Sequence, residues 1–214
     1  NGKMHAGMFA RMNPLHPVYQ EKMIGMFREI CRQFGASPAF LGIQLHVVFE
    51  SSFWMGSIDW GYDDFTISLF EKDTGIKLPS FSGDSRYKQR HDWITNEKKN
   101  EWISWRCRKL YEFYKRLAEV LSSTRKDLKL VIGLRYLAEG STFLPHWEQI
   151  GHSMKTLYRN AGIDMELLHG IKNTEIQKYF YPADIKWKRM RDRSNDMYAG
   201  LELRRSAELR KTLT

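Results

Sequence analysis

The order of apolar and amphipathic segments is the feature of this 214-residue chain that most limits its fold. Each short apolar run predicts a buried strand, and each follows a longer segment with apolar residues at helical spacing. The runs are FLGIQLHVV (40–48), KDLKLVIGLRYL (126–137) and IQKYFYP (176–182). Alternating helices and strands predict an α/β fold with parallel strands joined by helices. The pattern fits part or all of a (β/α)8 barrel of TIM type, or an open doubly wound sheet, and both bind ligands at the carboxyl ends of their strands.

Proline, glycine and aspartate mark the ends of the first two predicted helices. Pro17 suits the first turn of the first helix, and Gly35 is expected to end it in the left-handed cap conformation. The strand that follows is expected to be covered on both faces, because it is mostly apolar. A second, short helix is predicted after it, with Asp63 or Asp64 as its N-cap and Gly75 at its end.

The rest of the chain divides into recognisable segments. Residues 77–96 are polar with Pro and Gly, which predicts an excursion over the surface. Residues 101–122 give the clearest helical pattern. Residues 144–162 predict a further helix, with a proline at its start and a glycine at its end. We therefore expect an α/β domain over residues 1–185 and a basic, helical segment over 186–214.

Charge and composition restrict the classes of partner. The formal net charge is +9, and residues 186–214 hold nine Lys and Arg against four Asp and Glu, a surplus of 9 − 4 = 5. Such a segment is able to bind a polyanion, but a solvated terminal helix explains it more simply, so nucleic acid is not the expected partner. Cys31 and Cys107 fall on apolar helix faces and are expected to be free thiols. No apolar run reaches 18 residues, so no membrane span is predicted.

The loop after the first strand combines acids with large aromatic side chains. Glu50 and Asp59 lie there with Trp54 and Trp60. Glycoside hydrolysis uses one acid to protonate the leaving oxygen and a second carboxylate to attack or to activate water, and indole faces stack on sugar rings. We therefore take Glu50 and Asp59 as the candidate catalytic residues, and Trp54 and Trp60 as candidate sugar platforms. Packing of Trp60 against the next helix is the simpler alternative.

Further candidates lie at the ends of the first two strands. His46 is a candidate substrate contact, although a structural histidine is the simpler interpretation. Arg135, Tyr136 and Glu139 follow the second strand and are able to bind substrate, or to pair with acids of the first loop. The chain has no phosphate-binding glycine loop, serine-hydrolase elbow, H-E-x-x-H helix or C-x-x-C pair, and its histidines show no ligand spacing. We expect neither a metal nor a cofactor.

Four segments occur in an order that resembles bacterial proteins described as family 10 glycosyl-hydrolase-like. They are NPLHPVYQEKM, SPAFLGIQLHV, WGYDDFTISLFEKDTGIKLP and EWISWRCRKLYEFYKRLAEVL, and the similarity spans roughly residues 12–136. Its most specific element is Y-D-D-x-T-x-x-x-F-E-x-x-T-G, from Tyr62 to Gly75. The resemblance implies a TIM barrel with strand 40–48 near its centre, a secreted or cell-envelope location, and a polysaccharide or oligosaccharide as partner.

The resemblance also implies where the catalytic acids belong. In related barrels the acid/base glutamate ends the fourth strand and the nucleophile ends the seventh. Here the strand closes QLHVVFE, without the Asn-Glu pair common at that place, and Glu50 at its end lies several residues later than the usual acid. About three βα units are visible, and the chain begins without Met, so we expect a partial domain from a longer protein.

Three functions follow from these observations. The preferred one is a carbohydrate-active domain that hydrolyses O-glycosidic bonds with acids at the carboxyl ends of its strands. The second is a carbohydrate-binding or structural module on the same scaffold, without chemistry. The third is a polyanion binder that uses residues 186–214.

Overall fold

The fold is taken from a computed structural model, which describes residues 12–47, 51–135 and 154–179. Glu50, Tyr136 and Glu139 lie outside the described residues, as do residues 186–214 and residues 144–153 of the helix predicted at 144–162. In chain order, the elements are α1 (Pro17–Phe34), β1 (Gly42–Val47), α2 (Asp64–Thr74), α3 (Arg86–Glu97), α4 (Lys99–Thr124), β2 (Lys129–Arg135), α5 (Met154–Asn160), α6 (Met165–His169) and β3 (Thr174–Tyr179).

The three strands form one parallel sheet in the order β1-β2-β3. Leu45 pairs with Ile132, which pairs in turn with Ile176. This confirms the predicted α/β class with parallel strands. Closure into a (β/α)8 barrel, with more strands than these three, stays a prediction.

One face of the sheet is buried and the other is polar. Leu45 and Val47 of β1, with Leu130 and Ile132 of β2, point into the core, where α4 contacts both β2 and α1. On the opposite face Gln44 and His46 are exposed, and Gln44 Nε2 donates to Gln177 Oε1 of β3 (3.2 Å). The expectation that strand 40–48 is covered on both faces is therefore wrong. Its two polar residues are two positions apart, which is the spacing that places side chains on one face of a strand.

The first helix begins as predicted and ends differently. Pro17 is the first residue of α1, and the backbone N–H of Val18 donates to Nδ1 of His16 (3.3 Å). Gly35 does not adopt the predicted left-handed conformation, because its φ is −61°. A Cβ at this position would lie 2.4 Å from the carbonyl oxygen of Cys31 and 2.6 Å from the Thr124 side chain. Glycine is therefore needed for the close approach of the ends of α1 and α4.

A helix occupies much of the segment that was expected to run over the surface. Residues 86–97 form α3, whose only fully buried residue is Ile94. Most of its residues are polar, so an apolar helical pattern is missing from the sequence, and packing of Ile94 against the core fixes the helix instead. This correction matters for the site, because α3 brings a histidine to the loop after β1.

Both cysteines are buried and free, as predicted. The thiol of Cys107 contacts the carbonyl oxygen of Arg159 (3.5 Å), and burial raises its pKa to about 11. Among the helices of the described residues, none is both long enough and apolar enough to cross a bilayer.

Candidate functional site in the loop after the first strand

Buried hydrogen bonds hold the loop after β1 against α4. The guanidinium of the fully buried Arg106 donates from Nη2 to the carbonyl oxygens of Met55 (2.9 Å) and Ser57 (2.7 Å). The hydroxyl of buried Tyr114 donates to the carbonyl oxygen of Phe53. Burial lowers the pKa of Arg106 to about 10, so the guanidinium is still protonated at neutral pH. The loop thus has a fixed base from which its outer residues project.

Asp59 lies on the outer side of this loop, with 33% of its side chain exposed. Its Oδ1 is 3.2 Å from Nε2 of His91, and its Oδ2 accepts a hydrogen bond from the Ser57 hydroxyl (3.1 Å). The hydrogen bond with His91 lowers the pKa of Asp59, and Ser57 adds to the effect against the opposing influence of burial. Asp59 is therefore an ionised carboxylate at neutral pH, able to act as a base or nucleophile but without a proton to donate.

His91 reaches Asp59 from α3, 32 residues further along the chain. Its Nδ1 lies 2.9 Å from Oδ1 of Asp92, and its ring meets the Tyr62 ring edge-on, with centroids 5.1 Å apart. The hydrogen bond with Asp59 is the largest cause that raises the pKa of His91, and Asp92 contributes in the same direction. The sequence interpretation missed His91, because nothing in the sequence links it to Asp59. Their contact depends on how α3 packs.

The two candidate sugar platforms have different environments. Trp54 is only 5% exposed and belongs to the core, so its ring has no open face for a sugar in this conformation. Trp60 is partly exposed, and its ring lies over Gly56, where a Cβ would come within 3.0 Å of the ring. Of the two indoles, Trp60 is the one that lies within reach of a ligand at this loop.

Of the remaining sequence candidates, two belong to described parts of strands. His46 lies on the exposed polar face of the sheet. Arg135 is the last residue of β2 and directly follows Leu134, which pairs with Val47 at the carboxyl end of β1. The predicted acid Glu50 belongs to the part of the loop outside the described residues.

The acids at the end of the loop have structural roles. Asp63 is the N-cap of α2, because its Oδ1 accepts from the backbone N–H of Thr66 (3.0 Å), which confirms the predicted cap. Asp64 forms ion pairs with Arg86 (3.2 Å) and Arg90 (2.6 Å) of α3. These pairs dock α3 beside the loop and so place His91 next to Asp59. Within residues 12–47, 51–135 and 154–179, no three His, Cys, Asp or Glu side chains group as metal ligands.

Replacing Gly56 by alanine is expected to reduce stability more than the same change at Gly75. Both glycines have a φ of +74°, so both substitutions carry the strain of a left-handed conformation, about 1 kcal/mol. Only at Gly56 does the new Cβ meet a ring, that of Trp60, whereas the space around Gly75 is open. We expect Gly56→Ala to lose about 1 kcal/mol more in urea unfolding followed by circular dichroism. Equal losses would show that the Trp60 ring moves aside without cost.

Comparison with known proteins gives one structural likeness. No protein-family model and no curated protein matches the chain. A solved structure, that of the PgaB (BpsB) glycoside hydrolase domain from Bordetella bronchiseptica, matches with a TM-score of 0.51 and 14% sequence identity. The fold resembles part of that glycoside hydrolase domain. The match covers 82% of this chain and 41% of the other, so the chain spans about two fifths of the structure it resembles. At this identity the likeness concerns the fold alone.

Proposed function

We propose that this chain is a carbohydrate-active α/β domain of the glycoside-hydrolase type whose loop after β1 faces the saccharide. The observation that carries the proposal is the ionised Asp59, held by His91 and adjacent in sequence to the partly exposed Trp60. The loop follows a strand of a parallel sheet, which is where such folds bind ligands. An acceptor carboxylate beside an indole suits a sugar, whose hydroxyl groups donate hydrogen bonds and whose ring has an apolar face. The likeness to a glycoside hydrolase domain supports the same class of ligand.

In the catalytic form of this proposal, the two acids divide the work of hydrolysing an O-glycosidic bond. Asp59, kept ionised by His91, is the carboxylate that attacks the sugar or activates water. Glu50, our sequence-based candidate, is the acid that protonates the leaving oxygen. The further substrate contacts that we propose are His46, Arg135, Tyr136 and Glu139.

One observation favours the non-catalytic alternative, a carbohydrate-binding module. Among the described residues, the carboxyl groups that contact His91 are those of Asp59 and Asp92, and both have lowered pKa values. Two ionised carboxylates supply no proton for a leaving group. Catalysis therefore depends on Glu50 as the acid, whereas binding does not.

Turnover and binding assays on a panel of oligosaccharides separate these possibilities. If the domain is catalytic, Asp59→Asn and Glu50→Gln should each lower the release of reducing ends by about 100-fold or more, because each removes a group needed for proton transfer or attack. Asp84→Asn is the matched control, since Asp84 is an exposed aspartate in the turn before α3, and it should leave turnover unchanged.

Calorimetric binding measurements complete the test. A binding module predicts no turnover by the wild type, together with affinity that survives Glu50→Gln and is lost in Trp60→Ala. Trp93→Ala, which removes another partly buried indole outside the loop, is the control and should bind normally. Absence of both turnover and binding across the panel would refute a carbohydrate-related function.

A further inference from the structure

His91 has an aspartate oxygen facing each of its ring nitrogens. Nε2 is 3.2 Å from Oδ1 of Asp59, and Nδ1 is 2.9 Å from Oδ1 of Asp92. An ionised carboxylate only accepts hydrogen bonds, and a neutral imidazole carries a single N–H. Both contacts are hydrogen bonds at the same time only when both nitrogens are protonated. We infer that His91 is a positioning residue, which as an imidazolium clamps Asp59 and the loop after β1 to α3 and releases them when it loses a proton.

In the described part of the chain, the charged and titratable groups around this clamp come from three elements. From the loop, Asp59 faces Nε2 and the Tyr62 ring packs against the imidazole. On α3 itself, Asp92 faces Nδ1 and also accepts a hydrogen bond from Lys88. From α4, the buried Arg106 attracts Asp59 and helps to keep it ionised. These groups favour a protonated His91 between two carboxylates, and the cations nearby act mainly on the carboxylates.

Docking of α3 does not depend on His91. Arg90 donates to the carbonyl oxygen of Tyr62 (3.1 Å) and, with Arg86, pairs with Asp64. Ile94 anchors the same helix in the core. Loss of the proton from His91 therefore opens the contact with the loop and leaves α3 in place.

The contact with Asp59 is the one that opens. On deprotonation one proton leaves for water, and one N–H remains on the ring. Asp92 is the next residue on the same helix and makes the shorter contact, so the remaining proton stays on Nδ1. The lone pair of Nε2 then faces Oδ1 of Asp59, two acceptors repel each other, and the outer part of the loop moves away.

The direction of the pH dependence follows from both partners. The pKa of His91 is raised in the folded chain, so its contribution to stability is complete below about 6.5 and is lost as pH rises through the folded value. The pKa of Asp59 is lowered, so its contribution is complete above about 3.8 and is lost as pH falls through the folded value. The clamp is accordingly strongest between about pH 4 and 6.5.

The decisive experiment is a ¹⁵N NMR titration of the histidine rings in the full chain, with His91 assigned by the signals missing from His91→Gln. We expect His91 to titrate above its usual value of about 6.5, and at lower pH in Asp59→Asn and in Asp92→Asn than in the wild type. Above the transition, the neutral ring should carry its proton on Nδ1. A His91 already neutral at pH 6, a pKa unchanged by Asp59→Asn, or a neutral ring protonated on Nε2 would each overturn the clamp as stated.

Hydrogen exchange of the loop provides the second measurement. The amides of Asp59 and Trp60, which donate to Ser57, should lose protection relative to α4 as His91 deprotonates. In His91→Gln, the amide nitrogen of glutamine donates to Asp59 without titrating, so loop protection should no longer change with pH near neutrality. Protection that still falls with pH in this variant would contradict the role of His91.

The clamp stands on these contacts alone, whereas an effect on turnover rests on the proposed function. If Asp59 is catalytic, turnover should fall on the alkaline side with the His91 titration, and this limb should move to lower pH in Asp92→Asn. An intact NMR titration without any turnover or saccharide binding would remove the proposed function and leave the clamp. Turnover without the His91 titration would remove the clamp and leave the proposed function.

Discussion

Replacing Trp102 by alanine is expected to lower the free energy of unfolding by about 4 kcal/mol. Trp102 is fully buried and joins three parts of the fold. Its ring stacks on Tyr62 of the loop (centroids 5.4 Å apart) and on Trp105 of α4 (5.2 Å), and it meets Phe70 of α2 edge-on (5.0 Å). Alanine would leave a cavity at this junction and remove three aromatic contacts. Because a domain of this size is stable by only about 5–15 kcal/mol, this one substitution should remove a large share of the total.

Two control variants make the Trp102 result specific. Trp102→Phe keeps an aromatic ring and should lose clearly less than alanine. Trp93→Ala removes an indole that is only partly buried, and its loss should also be smaller. Urea unfolding followed by far-ultraviolet circular dichroism measures all three. A Trp102→Ala midpoint close to that of Trp93→Ala would show that the junction repacks and is not a rigid support for the loop.

Replacing Arg106 by alanine should cost about 3 kcal/mol. The substitution leaves the carbonyl oxygens of Met55 and Ser57 without their donor and opens space beneath the loop. Relief of desolvation opposes this loss. Nε and Nη1 of Arg106 are buried without a hydrogen-bond partner among the described residues, so removing this buried cation recovers part of its desolvation cost. In Arg106→Ala, we expect the lost packing and the two carbonyl groups left without a hydrogen bond to outweigh that relief.

Methionine at this position separates the two contributions. Arg106→Met fills most of the volume and removes the charge, so its loss should be smaller than that of alanine. Arg108→Ala is the matched control, because Arg108 is exposed on the same helix, and it should change stability by no more than about 0.5 kcal/mol. The midpoints of urea unfolding give the comparison. An Arg106→Ala loss within 1 kcal/mol of the Arg108→Ala control would mean that water replaces the guanidinium beneath the loop.

Local rules predicted the elements whose ends are marked by particular residues. Asp63 and Gly75 bound α2 as expected, because an aspartate N-cap and a glycine in the left-handed conformation act within one turn of the helix. The long α4 was evident from its apolar spacing. In contrast, α3 has a single fully buried residue, so its helix is fixed by packing that the sequence pattern does not display.

The sequence proposed some residues of the candidate site and missed His91, because local patterns do not show how distant elements pack. Asp59 was proposed because it follows a predicted strand, and parallel sheets bind ligands at that end. Trp54 and Trp60 are the same type of residue in the same loop, yet Trp54 is in the core and Trp60 is partly exposed. That difference depends on which side of the loop faces α4.

The sequence alone determined the alternation of helices and strands, the parallel α/β class and the cap that begins α2, because these depend on spacing and on contacts between near neighbours. Only the tertiary structure decided the partners of Asp59. His91 is 32 residues away on a mostly polar helix, and it meets Asp59 because Ile94 is buried and because Asp64 pairs with two arginines of α3. A contact of this kind results from the packing of whole elements, which no local pattern of residues specifies.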